Sequence, residues 1–478
     1  MRSLIKGFVA VSIVSTGFLC GLTGDVLHGF VQNPHTGALI PTVPAARVAR
    51  LLAPAAAHAA DGDDAGLPPA DTYVSVLNIL QSDYYNVGAP ATAKAVKPAP
   101  DTTRLTYAAI DGMLATLNDR YTEFWTPKEY RDNMQETSGN FVGIGAQLDL
   151  TKTKQVIIIK PIENSPAIRA GILPGDIIVA VDGRAITGMD LTKVVELIRG
   201  PEGTSVRLTL QRKAKTGSFD VTMRRAVVHS PIVDYRMEDP VNKIGYISLQ
   251  MFNEQADQQF DEALARLEAQ GMKALVFDLR NNPGGLLNIA QDLASRFVDS
   301  GAIVWVKQKN GEMSSLDVKP DKHRSSLYKG VYPVIVLVNG NSASASEIVS
   351  GAIQDSGAGK LLGTQTFGKG LVQTIFPLDS GDSAVKITTQ HYFTRNKHDI
   401  NKKYDANNKQ IGGGITPDYV VEFTDKDFDA QKEALRNDPQ NRDAVNKLDP
   451  QLQKADQILR DQLAGKTTPA VAQQAAKS

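Results

Sequence analysis

A single cysteine among 478 residues, Cys20, leaves no partner for an intramolecular disulfide. No His-Glu-x-x-His run and no paired cysteines occur, so neither a catalytic metal nor any other cofactor is expected. Charge of one sign is also missing: 52 Lys and Arg balance 52 Asp and Glu. Without an overall field, a partner chosen by bulk charge is excluded, and nucleic acid with it. At the N-terminus, Arg2 and Lys6 precede an apolar stretch from Gly7 to Leu22. That is a basic n-region and an h-region, short for a free-standing span. Residues 1–30 are therefore predicted to be a signal peptide or membrane anchor, and the protein to be exported. The expected location is the periplasm, or the inner membrane with the body facing the periplasm. Ala57-His58-Ala59 has a cleavage-site pattern but lies far downstream, which leaves an uncleaved anchor open. Cys20 follows Gly17-Phe-Leu19, too bulky for lipoprotein processing, and reads as a small apolar member of the run.

The length accommodates two or three domains, and 42% hydrophobic residues is ordinary for a soluble fold. Residues 31–70 are rich in Ala, Pro, Gly and Asp and read as a tether. Apolar positions at Tyr73, Val76, Leu77 and Leu80, and again at Ala109, Ile110, Met113, Leu114 and Leu117, have helical spacing. They predict a small N-terminal helical unit over 71–137. From 138 to 225 comes Phe141-Val-Gly-Ile-Gly-Ala-Gln-Leu148, then Ser165-Pro-Ala-Ile-Arg-Ala-Gly-Ile-Leu-Pro-Gly-Asp176. A strand to Val181, a helix from Leu191 to Arg199 and a further strand from Val206 follow. This order resembles a PDZ domain. Between 230 and 425, strand candidates at 244–249, 274–278 and 334–338 alternate with helix candidates at 254–269, 286–297 and 344–355. The fold class is accordingly α/β (α+β). Residues 426–478 read as a helical to disordered tail.

The chemistry concentrates in three segments of the 230–425 block. Asn339-Gly-Asn-Ser-Ala-Ser-Ala-Ser-Glu347 places Ser344 at the start of a predicted helix, where free N–H groups favour a developing oxyanion. Ala345 is small enough for its N–H to approach a carbonyl. Ser342, Ser344 and Ser346 could equally be capping hydroxyls. In Asp278-Leu-Arg-Asn-Asn-Pro-Gly-Gly285, Gly284 or Gly285 could supply a second N–H, although Pro-Gly-Gly is also an ordinary turn. Thr366-Phe-Gly-Lys369-Gly-Leu-Val-Gln373 offers a base in place of histidine. Lys369 would need its pKa lowered by about 3 units through burial. Gln373, four residues on and on the same face of a strand, could orient it. Gly363-Thr-Gln-Thr-Phe-Gly-Lys-Gly370 nearly spells a phosphate loop, but Gly370 stands where a magnesium-binding hydroxyl is needed. Gly340-Asn-Ser-Ala-Ser344 begins like a trypsin-type nucleophile loop but lacks the following glycines. His229, His323, His391 and His398 lie in no motif that marks a general base.

Together with Gly413-Gly-Ile-Thr-Pro-Asp418, these segments resemble the C-terminal-processing (tail-specific) serine peptidases over roughly residues 70–425. The resemblance implies a crotonase-like core with an inserted PDZ domain and a Ser344/Lys369 dyad assisted by Gln373. The oxyanion donors would be the N–H groups of Gly285, or its neighbour Gly284, and Ala345. It also implies polypeptide substrates with exposed C-termini, bound at Val142, Gly143, Ile144 and Gly145 by strand addition. The PDZ domain of such enzymes can gate the site, with Arg199 the candidate coupling residue here. A substrate-delivering adaptor and a homo-oligomer fit the same expectation. The competing expectation is a PDZ adaptor with an inactive hydrolase core.

Overall fold

The computed structural model describes residues 30–32, 39–41, 69–83, 101–151, 153–322, 332–379, 381–405, 410–437 and 445–466. The basic and apolar N-terminal run, most of the 31–70 tether, His323 and the last dozen residues lie outside the described residues.

Residues 1–109 form one unit and 110–478 another. In the first, strands β1 (Phe30–Gln32) and β2 (Leu39–Pro41) pair antiparallel. Helix α1 (Pro69–Asp83) and the first half of α2 (Thr102–Ala115) follow. The Tyr73 hydroxyl donates to Thr106 Oγ1 at 2.9 Å.

The second unit opens with a departure from the expected helical block over 71–137. After α2 the chain extends into β3 (Glu123–Trp125), which pairs with a strand some 260 positions later, Ala384 opposite Trp125. Phe124 and Trp125 are buried, and burying them in a sheet outweighs helical continuation. Helix α3 (Pro127–Ser138) then starts at a capping box between Thr126 and Glu129, with Pro127 in its first turn.

The PDZ-like block hangs from a two-stranded ribbon. Its entry strand β4 (Asn140–Gly143) pairs with its exit strand β11 (Ala226–His229). Between them β5 (Ala146–Leu150), β6 (Val156–Pro161), helix α4 (Pro166–Arg169), β7 (Ile177–Val181), β8 (Arg184–Ala185), helix α5 (Leu191–Ile198), β9 (Ser205–Gln211) and β10 (Ser218–Arg224) are laid out. The sheet order β10-β9-β7-β6-β5 leaves β5 at an edge. Alternation along β9 turns Val206, Leu208 and Leu210 into a core shared with Ile158 and Val194. Asp176, fully buried, is held bidentately by Arg212 at 2.6 and 2.7 Å and by the Leu173 N–H.

The remainder is built on two sheets. The larger has the order β12 (Val233–Asp239), β13 (Ile244–Leu249), β14 (Ala274–Asp278), β17 (Val334–Val338), β18 (Lys360–Gly363), β23 (Tyr419–Val420). All neighbours are parallel except β12–β13. The smaller has the order β16 (Met313–Asp317), β15 (Ala302–Gln308), β20 (Ala384–Phe393), β19 (Leu371–Pro377), with β3 joined to β20. A two-stranded ribbon of β21 (Lys403–Tyr404) and β22 (Gln410–Gly412) lies between β20 and β23 in the sequence. Helices α6 (Ala256–Ala269), α7 (Leu287–Ala294) and α8 (Ala345–Ser356) start and end within a few residues of the expected spans. They contribute to one core with Ile247, Leu275, Phe277, Val334, Val336 and Val338. The intervening positions, Tyr246, Ala274, Val276, Ile335 and Leu337, point the other way. Parallel strands covered on both faces read as unbroken apolar runs, as β17 does.

What covers that second face is helical, as expected within 426–478, but one of its helices is packed rather than free. After α9 (Asp425–Asn437), helix α10 (Pro450–Leu463) lays Leu452, Ala455, Ile458 and Leu459, none more than 2% exposed, onto the sheet. It is a structural layer rather than a tail. Its polar outer positions concealed the buried stripe from composition alone.

Candidate active site

Three loops at the carboxyl ends of parallel strands meet here: 279–285 after β14, 339–344 after β17 and 364–370 after β18. Asn282, fully buried, stitches the first two together. Its Nδ2 donates to the Leu249 carbonyl and its Oδ1 accepts the Gly284 N–H. Its own carbonyl accepts the Ala343 N–H and the Ser346 hydroxyl. Ser342 Oγ donates to the Leu279 carbonyl at 2.8 Å. Two of the three candidate serines are thus used for stitching. Ser344 is half-buried, and its hydroxyl proton has no acceptor among the described residues. It is also the one held at positive φ (φ 55°, ψ −114°), strain of about 1–3 kcal/mol that its surroundings must hold in place.

Glu347 holds it. This side chain is fully buried and accepts four hydrogen bonds. Oε1 takes the Thr366 hydroxyl at 2.6 Å and the Gly368 N–H at 2.7 Å. Oε2 takes the Ser344 and Lys369 N–H groups, both at 2.9 Å. A single oxygen therefore joins the backbones of the serine and the lysine, and twice that length is the most that can separate their amide nitrogens. Burial raises the Glu347 pKa above its ordinary value, while the four donors oppose the shift.

The Lys369 side chain leaves this backbone anchor for an apolar wall. Its Nζ stands 4.9 Å from the centroid of the Tyr121 ring. Burial pushes its pKa below the usual lysine value and Lys386 adds to the shift, while Glu123 and Glu347 oppose it. Among the described residues no carboxylate pairs with Nζ, and no hydrogen bond joins it to Ser344 Oγ. Gln373 donates from Nε2 to Thr388 Oγ1 at 3.2 Å rather than bonding the lysine. It lies on β19 at a register shift in the β19–β20 pairing, and Lys369 precedes the strand, so the regular alternation that would align the two is interrupted.

The glycine turn resolves into two different roles. The Gly284 N–H is taken inward by Asn282, whereas the N–H groups of Gly285 and Ala345 have no acceptor among the described residues. Both glycines sit at positive φ, 105° and 144°. A Cβ on Gly284 would stand 2.8 Å from the Ala343 carbonyl oxygen and from Ser344 Cβ, so the turn is pressed against the serine.

Comparison with known proteins bears on this arrangement. Residues 243–421 match the model of peptidase family S41, and residues 157–212 that of a PDZ domain. The probable CtpA-like serine protease of Staphylococcus aureus (strain N315) is 36% identical over 348 residues, 73% of this chain and 64% of that one. The like-named protein of Staphylococcus haemolyticus (strain JCSC1435) is 37% identical over 66% of this chain and 60% of its own. The chain thus covers just under two thirds of the length of these curated relatives. Among solved structures, a photosystem II D1 C-terminal processing protease is 31% identical over 68% of this chain and 84% of its own, with a TM-score of 0.40. The chain belongs to peptidase family S41.

In this S41 chain the expected peptide-binding residues divide. Val142 and Gly143 lie in β4, paired with Val227 and Ala226. Ile144 is buried in the PDZ core, its carbonyl accepting the Ala167 N–H, and Gly145 turns into the edge strand β5. Arg199 caps the C-terminus of α5, exposed, with its guanidinium 5.6 Å from the Phe141 ring. It forms no ion pair with the peptidase core among the described residues, so the structure does not bring it to the site. Sequence reasoning passed over Glu347 because an acid three residues after a serine reads as a helix cap. It also passed over Tyr121, for which no local signal exists.

Proposed function

We propose that this S41 protein is a serine endopeptidase that captures the C-terminal tails of polypeptides with its PDZ domain and cleaves them through an acyl-enzyme on Ser344. The observation that carries this reading is the shared Glu347 oxygen, which sets serine and lysine on one anchor beside two N–H groups that have no acceptor among the described residues. Lys369, neutral, takes the Ser344 proton as Oγ attacks the scissile carbonyl. The N–H groups of Gly285 and Ala345 receive the oxyanion. Collapse of the tetrahedral adduct expels the amine, which takes the proton back from the Lys369 ammonium. Water then gives a proton to Lys369 and attacks the ester, and the acid product leaves with Ser344 restored. The free edge of β5 accepts an incoming tail as an added strand, with Ile144 and Gly145 at its end, and capture raises substrate concentration near the serine. The basic and apolar N-terminal run supports export to the periplasm or its membrane face.

The test is cleavage of an unfolded substrate with an apolar C-terminus. Ser344→Ala and Lys369→Ala should each abolish turnover while tail binding persists. Cleavage by both variants at the wild-type rate would sink the reading and leave a tail-binding adaptor.

A further inference from the structure

The segment Asp119–Trp125 stands before the PDZ insertion in sequence, yet it walls the lysine. Tyr121 presents its ring to Lys369 Nζ at 4.9 Å. The Arg120 guanidinium approaches the same ring at 4.8 Å, and its Nη2 donates to the Tyr121 hydroxyl at 2.7 Å. Arg120 also lies 5.9 Å from the Phe367 ring, and Lys402 Nζ lies 3.7 Å from that ring. Cations and rings thus alternate from Lys369 to Lys402. Below them the turn is anchored. The Asp119 carboxylate accepts the Tyr121 N–H and the Thr122 hydroxyl. Thr122 Oγ1 in turn accepts the N–H of Thr388, the residue that also holds Gln373. The register of β3 on β20 fixes the far end.

We propose that Tyr121 is a positioning residue for the reaction, a rigid aromatic wall that directs the Lys369 amine and keeps water from it. This rests on the reading of Lys369 as the base. Two effects of the ring oppose each other. Its face attracts an ammonium, worth about two- to fivefold in the protonation equilibrium at a partly exposed site. Its bulk desolvates the same ammonium, and burial can move a lysine by several pH units. Burial is the leading cause of the lowered Lys369 pKa, and the ring stands among the groups that bury the amine. Tyr121 also lines an open hollow of about 400 Å³ with Arg120, Leu371, Asn401, Lys402 and Tyr404, and Lys369 is not among the residues that line it.

The experiment reads Lys369 directly, without turnover. In a Ser344→Ala background, trace acetylation by acetic anhydride across pH, quantified by peptide mass spectrometry, gives the titration midpoint of Lys369. Tyr121→Ala should raise it by about one pH unit, Tyr121→Leu by less, and Tyr121→Phe should leave it in place. In the Ser344-containing enzyme the acid limb of kcat should move with it while KM for a tailed peptide holds. Should both the Ala and Leu variants, folded by circular dichroism, keep the wild-type midpoint, the proposal is wrong. The base assignment fails separately, if Lys369→Ala still cleaves, and that outcome leaves the labelling result standing.

Discussion

Replacing Glu347 by glutamine keeps the shape of the side chain and removes only a charge and one acceptor oxygen. The amide cannot satisfy the four donors that converge there. With its NH₂ toward Ser344 and Lys369, two backbone N–H groups face a donor. Turned the other way it faces the Gly368 N–H and a Thr366 hydroxyl whose oxygen already accepts the Ile415 N–H. Either orientation leaves at least one buried N–H unpaired, costing about 1–3 kcal/mol, and loses charge-assisted bonds of about 1.5–3 kcal/mol each. Removing a buried charge returns part of this, because ionisation of Glu347 is itself disfavoured by burial. A net destabilisation of about 2–4 kcal/mol is expected by urea unfolding. Catalysis should fall further than stability accounts for, since the lost acceptor is the one that registers serine against lysine. With the protein still folded, kcat should drop about 10²-fold, equivalent to ~2.7 kcal/mol, at unchanged KM. Wild-type kcat in a folded Glu347→Gln protein would refute the anchoring argument.

Gly285→Ala would place a Cβ 2.3 Å from the Phe252 carbonyl oxygen at a φ that alanine avoids. A fall in kcat of about 10²-fold is expected, with tail binding intact by fluorescence polarisation. Asp456 on α10 has its pKa raised to about 7 by burial and by neighbouring Glu238, and its Oδ1 has no hydrogen-bond partner among the described residues. A raised folded-state pKa gives stability that is present below the ordinary carboxylate range and lost as pH rises through about 7. Asp456→Asn should therefore stabilise the protein at pH ~8 by about 1–2 kcal/mol after allowance for its partial exposure, and flatten the pH dependence of urea midpoints. Leu459→Ala, at a fully buried site, should cost about 2–5 kcal/mol in the same unfolding assay.

Ser344, Lys369 and the Gly-Gly turn were legible because each sits in a short run of unusual residues, and short runs survive folding as loops. The β17 strand was legible from an unbroken apolar run, and β13 and β14 from runs rich in apolar residues despite Gly245, Ser248 and Asp278. Glu347 stood in plain view, but its role depends on donors from a loop some twenty residues further on. Nothing local announces such a convergence. Three-residue β3 is shorter than any periodicity can detect, and its partner is remote in sequence. The burial of α10 escaped for a different reason: the segment reads as helical, but a narrow apolar stripe among Gln, Lys and Asp has the composition of a solvated helix. The orienting role expected of Gln373 assumed a continuous strand, and the register shift beside it is invisible in sequence.

The last helix has a bearing on how the molecule comes into being. Its N-cap Asp449 pairs with Arg280 at 2.9 Å, and Arg280 also grips Asp278 at 2.7 Å, at the root of the loop that carries Gly285. Until those late residues have been synthesised, one face of the parallel sheet lacks its covering helix, and Arg280 has Asp278 but not Asp449. A chain emerging from the ribosome therefore carries Ser344 and Lys369 long before it carries the support of their surroundings. The loops that carry Ser344 and Lys369 are thus made first and braced last.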